Sequence, residues 1–181
     1  SSLEAINTAA ANIIAGSGEI FIAAGAESMT HVPMGGFNPS LNAKLMKAGA
    51  PQAYIPMGMT AENLATKHGI SRQEQDEYAA NSHIKALAAM EKKLFGEIVP
   101  VKITKQDGTE AIVDTDEGPR QPDVKKLGEL KPVFKQGGSV TAGNSSPLTD
   151  GAAAVIMMSA AKAKELGIKP LAKIKAMAVA G

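Results

Sequence analysis

Near the start of the chain, apolar residues recur at helical spacing and then give way to a continuous apolar run. The apolar positions from Leu3 to Ile14 fall on one face of a helix predicted over residues 1–15. The glycines of Gly16-Ser17-Gly18 favour the end of this helix, because glycine readily adopts the left-handed conformation. The apolar run Ile20–Ala24 predicts a buried strand. A helix followed by a buried strand is half of an α/β layer.

The pattern changes over residues 29–59, where repeated glycines and prolines predict loops with one short helix near Leu41–Ala48. A further helix is predicted over Thr60–His68. The segment Ser71-Arg72-Gln73-Glu74 has the pattern of a capping box, in which a serine hydroxyl and a glutamate carboxylate satisfy free amides at a helix start. The helix that begins there is predicted to extend to about Leu94.

Turn and cap signals predict the elements of the last part of the chain. Asp107-Gly108 lies between two apolar runs and is a hairpin-turn signal, and Ser159 can cap a helix that Gly167 ends. The predicted elements are strands at Ile98–Thr104 and Glu110–Thr115, a helix at Val124–Leu130, a buried strand at Ala152–Met158, a helix at Ala160–Leu166 and a strand at Leu171–Val179. The order predicts an α/β layer that is interrupted by a long mixed insertion.

Composition narrows the classes of function. The chain has 181 residues, of which 44% are hydrophobic and 20% charged, and this excludes a disordered chain. With 3% aromatic residues and a net charge of +1, it lacks the features of a nucleic-acid binder, and we expect no nucleic-acid partner. The apolar stretch that begins at Ala152 is too short for a membrane span. We expect a cytoplasmic protein, with a mitochondrial or peroxisomal matrix as alternatives.

The side chains that often carry chemistry are few. The sequence has no cysteine, which excludes disulfides, thiolate metal sites and a cysteine nucleophile within these residues. The spacing of His31, His68 and His83 matches no metal-site pattern, so we expect no metal. We interpret His68 and His83 as solvated helix residues and His31 as a loop residue with a structural hydrogen bond. Gly16-Ser17-Gly18 precedes a strand and lacks a third glycine, so it is not a dinucleotide fingerprint.

The segment Gly138–Gly151, GSVTAGNSSPLTDG, is the most informative part of the sequence. Its small residues let a polar ligand approach the main chain closely, although a solvated turn has the same composition. Together with the following Ala-Ala-Ala-Val-Ile-Met-Met-Ser, it closely resembles the signature of thiolases. The other segments that resemble thiolase sequence, in chain order, are Gly25–Thr30, Ile55–Asn63, Ile70–Asp76, Asp116–Gly118 leading to Arg120, and Leu130–Pro132. The Pro56-Met57 pair is more similar to 3-ketoacyl-CoA thiolases than to acetoacetyl-CoA enzymes.

The resemblance implies a thiolase-like layered α/β fold that is incomplete and carries a mixed α+β loop-domain insertion. Residues 1–28 would belong to the N-terminal half and residues 29–148 to the loop domain that holds coenzyme A. Residues 149–169 would return to the N-terminal half, and residues 170–181 would begin the C-terminal half.

The resemblance also implies reversible thiolytic cleavage of 3-ketoacyl-CoA, with coenzyme A as a substrate and no covalently bound cofactor. The nucleophilic cysteine would lie two positions before Ser1 and the other catalytic residues after Gly181, so we expect no catalytic residue in this chain. Ser146 matches the position that meets the pantetheine arm, Met57 one that lines the acyl-thioester pocket, and Arg120 a basic position near the nucleotide end. Thiolases are dimers or tetramers, so a homo-oligomer is implied. A non-catalytic acyl-CoA or lipid-binding module is the alternative.

Overall fold

A computed structural model describes residues 2–178, and these divide into two compact units. The first unit comprises the described residues of Ser1–Pro39 and Leu148–Gly181, and the second comprises Ser40–Pro147. In sequence, the second unit is therefore inserted between the two segments of the first unit. The functional domain boundaries that were predicted at residues 29 and 148 stay a prediction.

The described residues form helices and strands in a mixed order. Each helix and strand that was predicted before Gly167 is confirmed, with ends that differ by a few residues. The elements are α1 (Ser2–Ile14), β1 (Ile20–Glu27), α2 (Ala43–Lys47), a 3₁₀ helix (Pro51–Tyr54), α3 (Met57–His68), α4 (Arg72–Glu91), β2 (Val101–Thr104), β3 (Glu110–Val113), α5 (Val124–Glu129), β4 (Gly151–Met158) and α6 (Ala160–Glu165). No helix among residues 2–178 has the length and apolar character that a membrane crossing requires.

In the first unit, β1 and β4 pair as antiparallel strands, in a register that runs from Ile20 opposite Met158 to Glu27 opposite Gly151. Helix α1 packs against β1. A Cβ at Gly25 would collide with the Ser2 side chain, so glycine allows this close approach.

Two sequence predictions about the first unit are wrong. The strands β1 and β4 were predicted to be buried, but Ile22 is 71% exposed and Ile156 is 68% exposed, because among the described elements α1 alone packs closely on the two-stranded sheet. The predicted strand at Leu171–Val179 is absent from residues 171–178, and Val179 lies outside the described residues. A strand needs a hydrogen-bonding neighbour, and in the described part of the chain β1 and β4 pair only with each other.

Local signals determine the ends of several elements in the second unit. The capping box at the start of α4 is complete, since the Glu74 amide donates to Ser71 Oγ at 3.2 Å and the Ser71 amide donates to Glu74 Oε2 at 2.7 Å. Gly69 ends α3 in the left-handed conformation with φ of 65°. In the β2–β3 hairpin, Asp107 accepts a hydrogen bond from the Thr109 amide at 2.9 Å.

We expect Ser71→Ala to lower the free energy of unfolding by about 1 kcal/mol, because the substitution removes the side-chain partner of a free helix amide. Chemical denaturation followed by circular dichroism measures this change. Ser82→Ala, at an exposed position within α4, is the matched control and should leave stability within about 0.5 kcal/mol of the unmodified chain. Equal stability of the two variants would contradict the role of the capping box.

Candidate functional site

The segment 138–146 of the second unit is held at its start by Glu62, a buried residue of α3. The amides of Ser139 and Val140 each donate to Glu62 Oε1 at 2.8 Å. Ser139 Oγ also donates to Glu62 Oε2, at 3.2 Å. A Cβ at Gly138 would lie 2.3 Å from Glu62 Oε1, so only glycine leaves room for the carboxylate. One side chain of α3 thus fixes the backbone at the start of this segment.

These hydrogen bonds determine the charge state of Glu62. Burial by itself raises the pKa of a carboxyl group, but the amides of Val140 and Ser139 and the Ser139 hydroxyl outweigh it, with a smaller contribution from the positive charge of Lys135. The net result is a pKa below the ordinary value of 4.5. Glu62 is therefore a buried carboxylate whose charge is stabilised by donors from the segment it holds.

A second buried carboxylate, Asp76 of α4, holds the same segment through Asn144. Asn144 Nδ2 donates to Asp76 Oδ1 at 2.9 Å and to the Ser139 carbonyl at 3.0 Å. Asn144 Oδ1 accepts from the Thr141 amide at 2.8 Å. The Asn144 amide therefore satisfies donors and acceptors on both sides of a tight turn, and Asp76 orients it.

Arg72 links Asp76 to α5 and the residues that follow it. Its Nε forms an ion pair with Asp76 Oδ2 at 2.8 Å, and its Nη2 donates to the carbonyls of Leu127 and Leu130 at 2.5 and 3.1 Å. Both carbonyls lie at the C-terminal end of this short helix, where the Leu127 carbonyl also accepts a hydrogen bond from the Leu130 amide at 3.1 Å. Arg72 thus compensates a buried negative charge and caps α5 with the same guanidinium group.

The predicted pantetheine contact, Ser146, follows directly after this anchored turn. Thr141 is fully buried, and its carbonyl accepts from Ser145 Oγ at 2.7 Å. A Cβ at Gly143 would lie 2.5 Å from Leu130 Cδ1, so the turn packs closely against the leucine side chain. Ser146 itself is exposed. Thr141 is therefore buried, whereas Ser146, the residue predicted to contact the ligand, is exposed five positions later.

The structure places the other two predicted site residues on the surface of the same unit. Met57 is the first residue of α3 and is 74% exposed. The next residue, Gly58, lies under the Phe134 ring, which a Cβ would approach to 2.3 Å. Arg120 is exposed in the loop between β3 and α5, and its amide donates to His83 Nδ1 at 3.4 Å. The ligand contacts of Ser146, Met57 and Arg120 stay predictions.

Sequence reasoning did not single out the residues that organise the segment. Glu62 and Asp76 occur within the thiolase-like segments Ile55–Asn63 and Ile70–Asp76, but nothing in the residue pattern marked them as buried. Within residues 2–178, no three His, Cys, Asp or Glu side chains lie close enough together to hold a metal ion.

Stability should depend on pH through Glu62. Because its folded-state pKa is lowered, the unfolded chain takes up the proton first as the pH falls. Glu62 therefore contributes stability that is present above the ordinary pKa and lost as the pH falls through the lowered value. We expect Glu62→Gln to be less stable than the unmodified chain at pH 7, and the difference in the free energy of unfolding to shrink as the pH falls below the ordinary value of 4.5. Urea denaturation at several pH values measures it; a difference that stays constant would contradict the assignment.

Comparison with known proteins shows which family model and which proteins this chain resembles. The family model described as "Thiolase, N-terminal domain" matches residues 1–161. A protein of Vibrio cholerae serotype O1 named 3-ketoacyl-CoA thiolase is 48% identical over 187 residues, which cover 100% of this chain and 47% of that protein. A Hahella chejuensis protein with the same name is 45% identical, over 100% of this chain and 46% of its own length.

Solved structures agree with these sequence matches. The dimeric peroxisomal thiolase of Saccharomyces cerevisiae superposes with a TM-score of 0.79 at 40% identity, over 93% of this chain and 43% of that chain. Human mitochondrial 3-ketoacyl-CoA thiolase superposes with a TM-score of 0.77 at 33% identity, over 94% and 46% of the two chains. The expected thiolase-like α/β fold, in incomplete form, is confirmed. The chain spans about half the length of the relatives it matches, and it belongs to the thiolase family.

Proposed function

We propose that this chain is the coenzyme A-holding part of a 3-ketoacyl-CoA thiolase, an acyltransferase that cleaves 3-ketoacyl-CoA with a second coenzyme A. The observation that carries the proposal is 45–48% identity across the whole chain to proteins named 3-ketoacyl-CoA thiolase. The anchored segment 138–146, with small residues and an exposed serine at its end, supports it from the structure.

Each of the three residues proposed to bind coenzyme A has a side chain whose chemistry matches a different part of that molecule. The hydroxyl of Ser146 and the backbone around it can exchange hydrogen bonds with the amides of the pantetheine arm. The exposed thioether side chain of Met57 offers a flexible apolar contact for the acyl thioester. The guanidinium of Arg120 suits the phosphates at the nucleotide end of the molecule. Coenzyme A would act here as a substrate and not as a bound cofactor.

The covalent chemistry would come from residues outside this sequence, which contains no cysteine. In the proposed reaction, a cysteine thiolate attacks the keto carbon, acetyl-CoA leaves as an enolate, and a second coenzyme A thiol takes up the acyl group. We propose residues 29–148 as the loop domain, residues 1–28 and 149–169 as parts of the N-terminal half, and residues 170–181 as the start of the C-terminal half.

We propose further that the protein acts as a homo-oligomer in the degradation of fatty acids, in the cytoplasm or in a mitochondrial or peroxisomal matrix. The Saccharomyces cerevisiae structure is described as dimeric. The sheet of the first unit adds physical support, because Ile22 and Ile156 lie opposite each other and are exposed. Exposed apolar strands of this kind are typical of surfaces that pair with further protein.

A chimera tests the proposed activity. We expect a protein in which this chain replaces the matching segment of the Vibrio cholerae relative to release acetyl-CoA from a 3-ketoacyl-CoA when coenzyme A is added. The 181-residue chain alone should release none, since it contains no cysteine. The unmodified relative is the positive control. A folded chimera that binds coenzyme A without cleaving the substrate would favour the non-catalytic acyl-CoA-binding module instead.

The chain by itself should associate through the exposed sheet of its first unit. We expect sedimentation velocity to show a mass that rises with concentration, and Ile156→Lys to shift the chain toward monomer, because a charge on this surface opposes burial. Val99→Lys, at a residue of the second unit that is 76% exposed, is the control and should leave association unchanged. A monomer that unfolds in one sharp transition would contradict the proposed association.

A further inference from the structure

We propose that Glu62 and Asp76 are positioning residues for coenzyme A binding. From α3 and α4, they hold residues 139–145 in the conformation that presents Ser146 to the pantetheine arm. This inference rests on the proposed function, because it takes Ser146 as a coenzyme A contact. It assigns the affinity for coenzyme A partly to two buried carboxylates that do not touch the ligand.

Several hydrogen-bond donors converge on Glu62. Two consecutive backbone amides and one hydroxyl, from Ser139 and Val140, converge on its carboxylate. Gln75 Nε2 donates to the same Ser139 hydroxyl at 3.0 Å and supports it from α4. Hydrogen bonds to a charged acceptor are stronger than those between neutral groups, so the backbone at residues 139–140 has one strongly favoured position.

Asp76 acts on the other end of the turn. Its Oδ1 accepts from Asn144 Nδ2, and its Oδ2 is paired with Arg72. With the side chain held in this way, Asn144 Oδ1 accepts a hydrogen bond from the Thr141 amide, and Asn144 Nδ2 donates one to the Ser139 carbonyl. In the described structure every buried polar side-chain atom has a hydrogen-bond partner, so the network is fully satisfied.

The hydrogen-bond network ends directly before Ser146, the proposed contact with coenzyme A. The Ser145 hydroxyl closes the turn on the Thr141 carbonyl, and Ser146 is the next residue. Binding to a loop that is already ordered avoids the entropy cost of ordering it at the moment of association. Glu62 and Asp76 therefore raise the affinity for coenzyme A by fixing residues 139–145 before the ligand arrives.

Hydrogen exchange and calorimetry on the 181-residue chain test the proposal. The amides of Ser139, Val140 and Thr141 should be protected before coenzyme A is added, and the Ser146 amide should gain protection only with it. We expect Glu62→Gln to speed exchange at residues 139–140, and Asp76→Asn to speed it at Thr141, by about tenfold or more. Each should raise the Kd for coenzyme A by about tenfold or more, since the loop must then be ordered on binding.

The matched control is Glu77→Gln, which makes the same chemical change at an exposed residue beside Asp76 and should leave both readouts unchanged. Two results for Glu62→Gln and Asp76→Asn would indicate a purely structural role and overturn the proposal. One is faster hydrogen exchange along all of α3 and α4. The other is an unchanged Kd for coenzyme A although exchange at residues 139–141 is faster. Protection of residues 139–141 that appears only with coenzyme A would also overturn it, without any variant. If the unmodified chain binds no coenzyme A and the chimera is inactive, the proposed function itself fails; equal binding by all variants refutes this inference alone.

Discussion

The second unit depends on one buried carboxylate, Glu62, which accepts hydrogen bonds from the backbone of Ser139 and Val140. A buried charge is tolerated only where donors replace the water it has lost. The glycine-rich segment supplies these donors, and Gly138 leaves the space for the oxygen atoms. Hydrogen bonds to Glu62 therefore join helix α3 to the segment 138–146, although the two are far apart in sequence.

Small residues allow side chains to approach the backbone closely at several places in this chain. Among the described residues, the buried apolar positions are alanines except Val140, and glycines lie directly under Phe134 and beside Leu127 of α5 and Leu130. Alanine buries little apolar surface, so close packing and buried hydrogen bonds take a larger share of the stabilisation than in a core of large side chains.

The parts of the structure that could be predicted from sequence are those determined by neighbouring residues. The capping box at Ser71 and the turn at Asp107-Gly108 need only a few adjacent side chains, and both form as predicted. The network of Glu62 joins residues that are 77 and 78 positions apart, which no local pattern reveals. The predicted strand at Leu171–Val179 was wrong over its described residues because an apolar run does not specify a pairing partner. The resemblance to thiolases identified the segment 138–146 but not Glu62 and Asp76, the buried carboxylates that hold it.

We propose that residues 138–146, which Glu62 of α3 and Asp76 of α4 hold in place, form a surface that contacts coenzyme A. A nuclear magnetic resonance titration of the isotope-labelled chain with coenzyme A tests it most directly, because each amide reports its own surroundings. We expect the largest changes in chemical shift at Ser146 and its neighbours, with further changes near Met57 and Arg120. Saturable changes confined to the first unit, with none between residues 138 and 146, would contradict it.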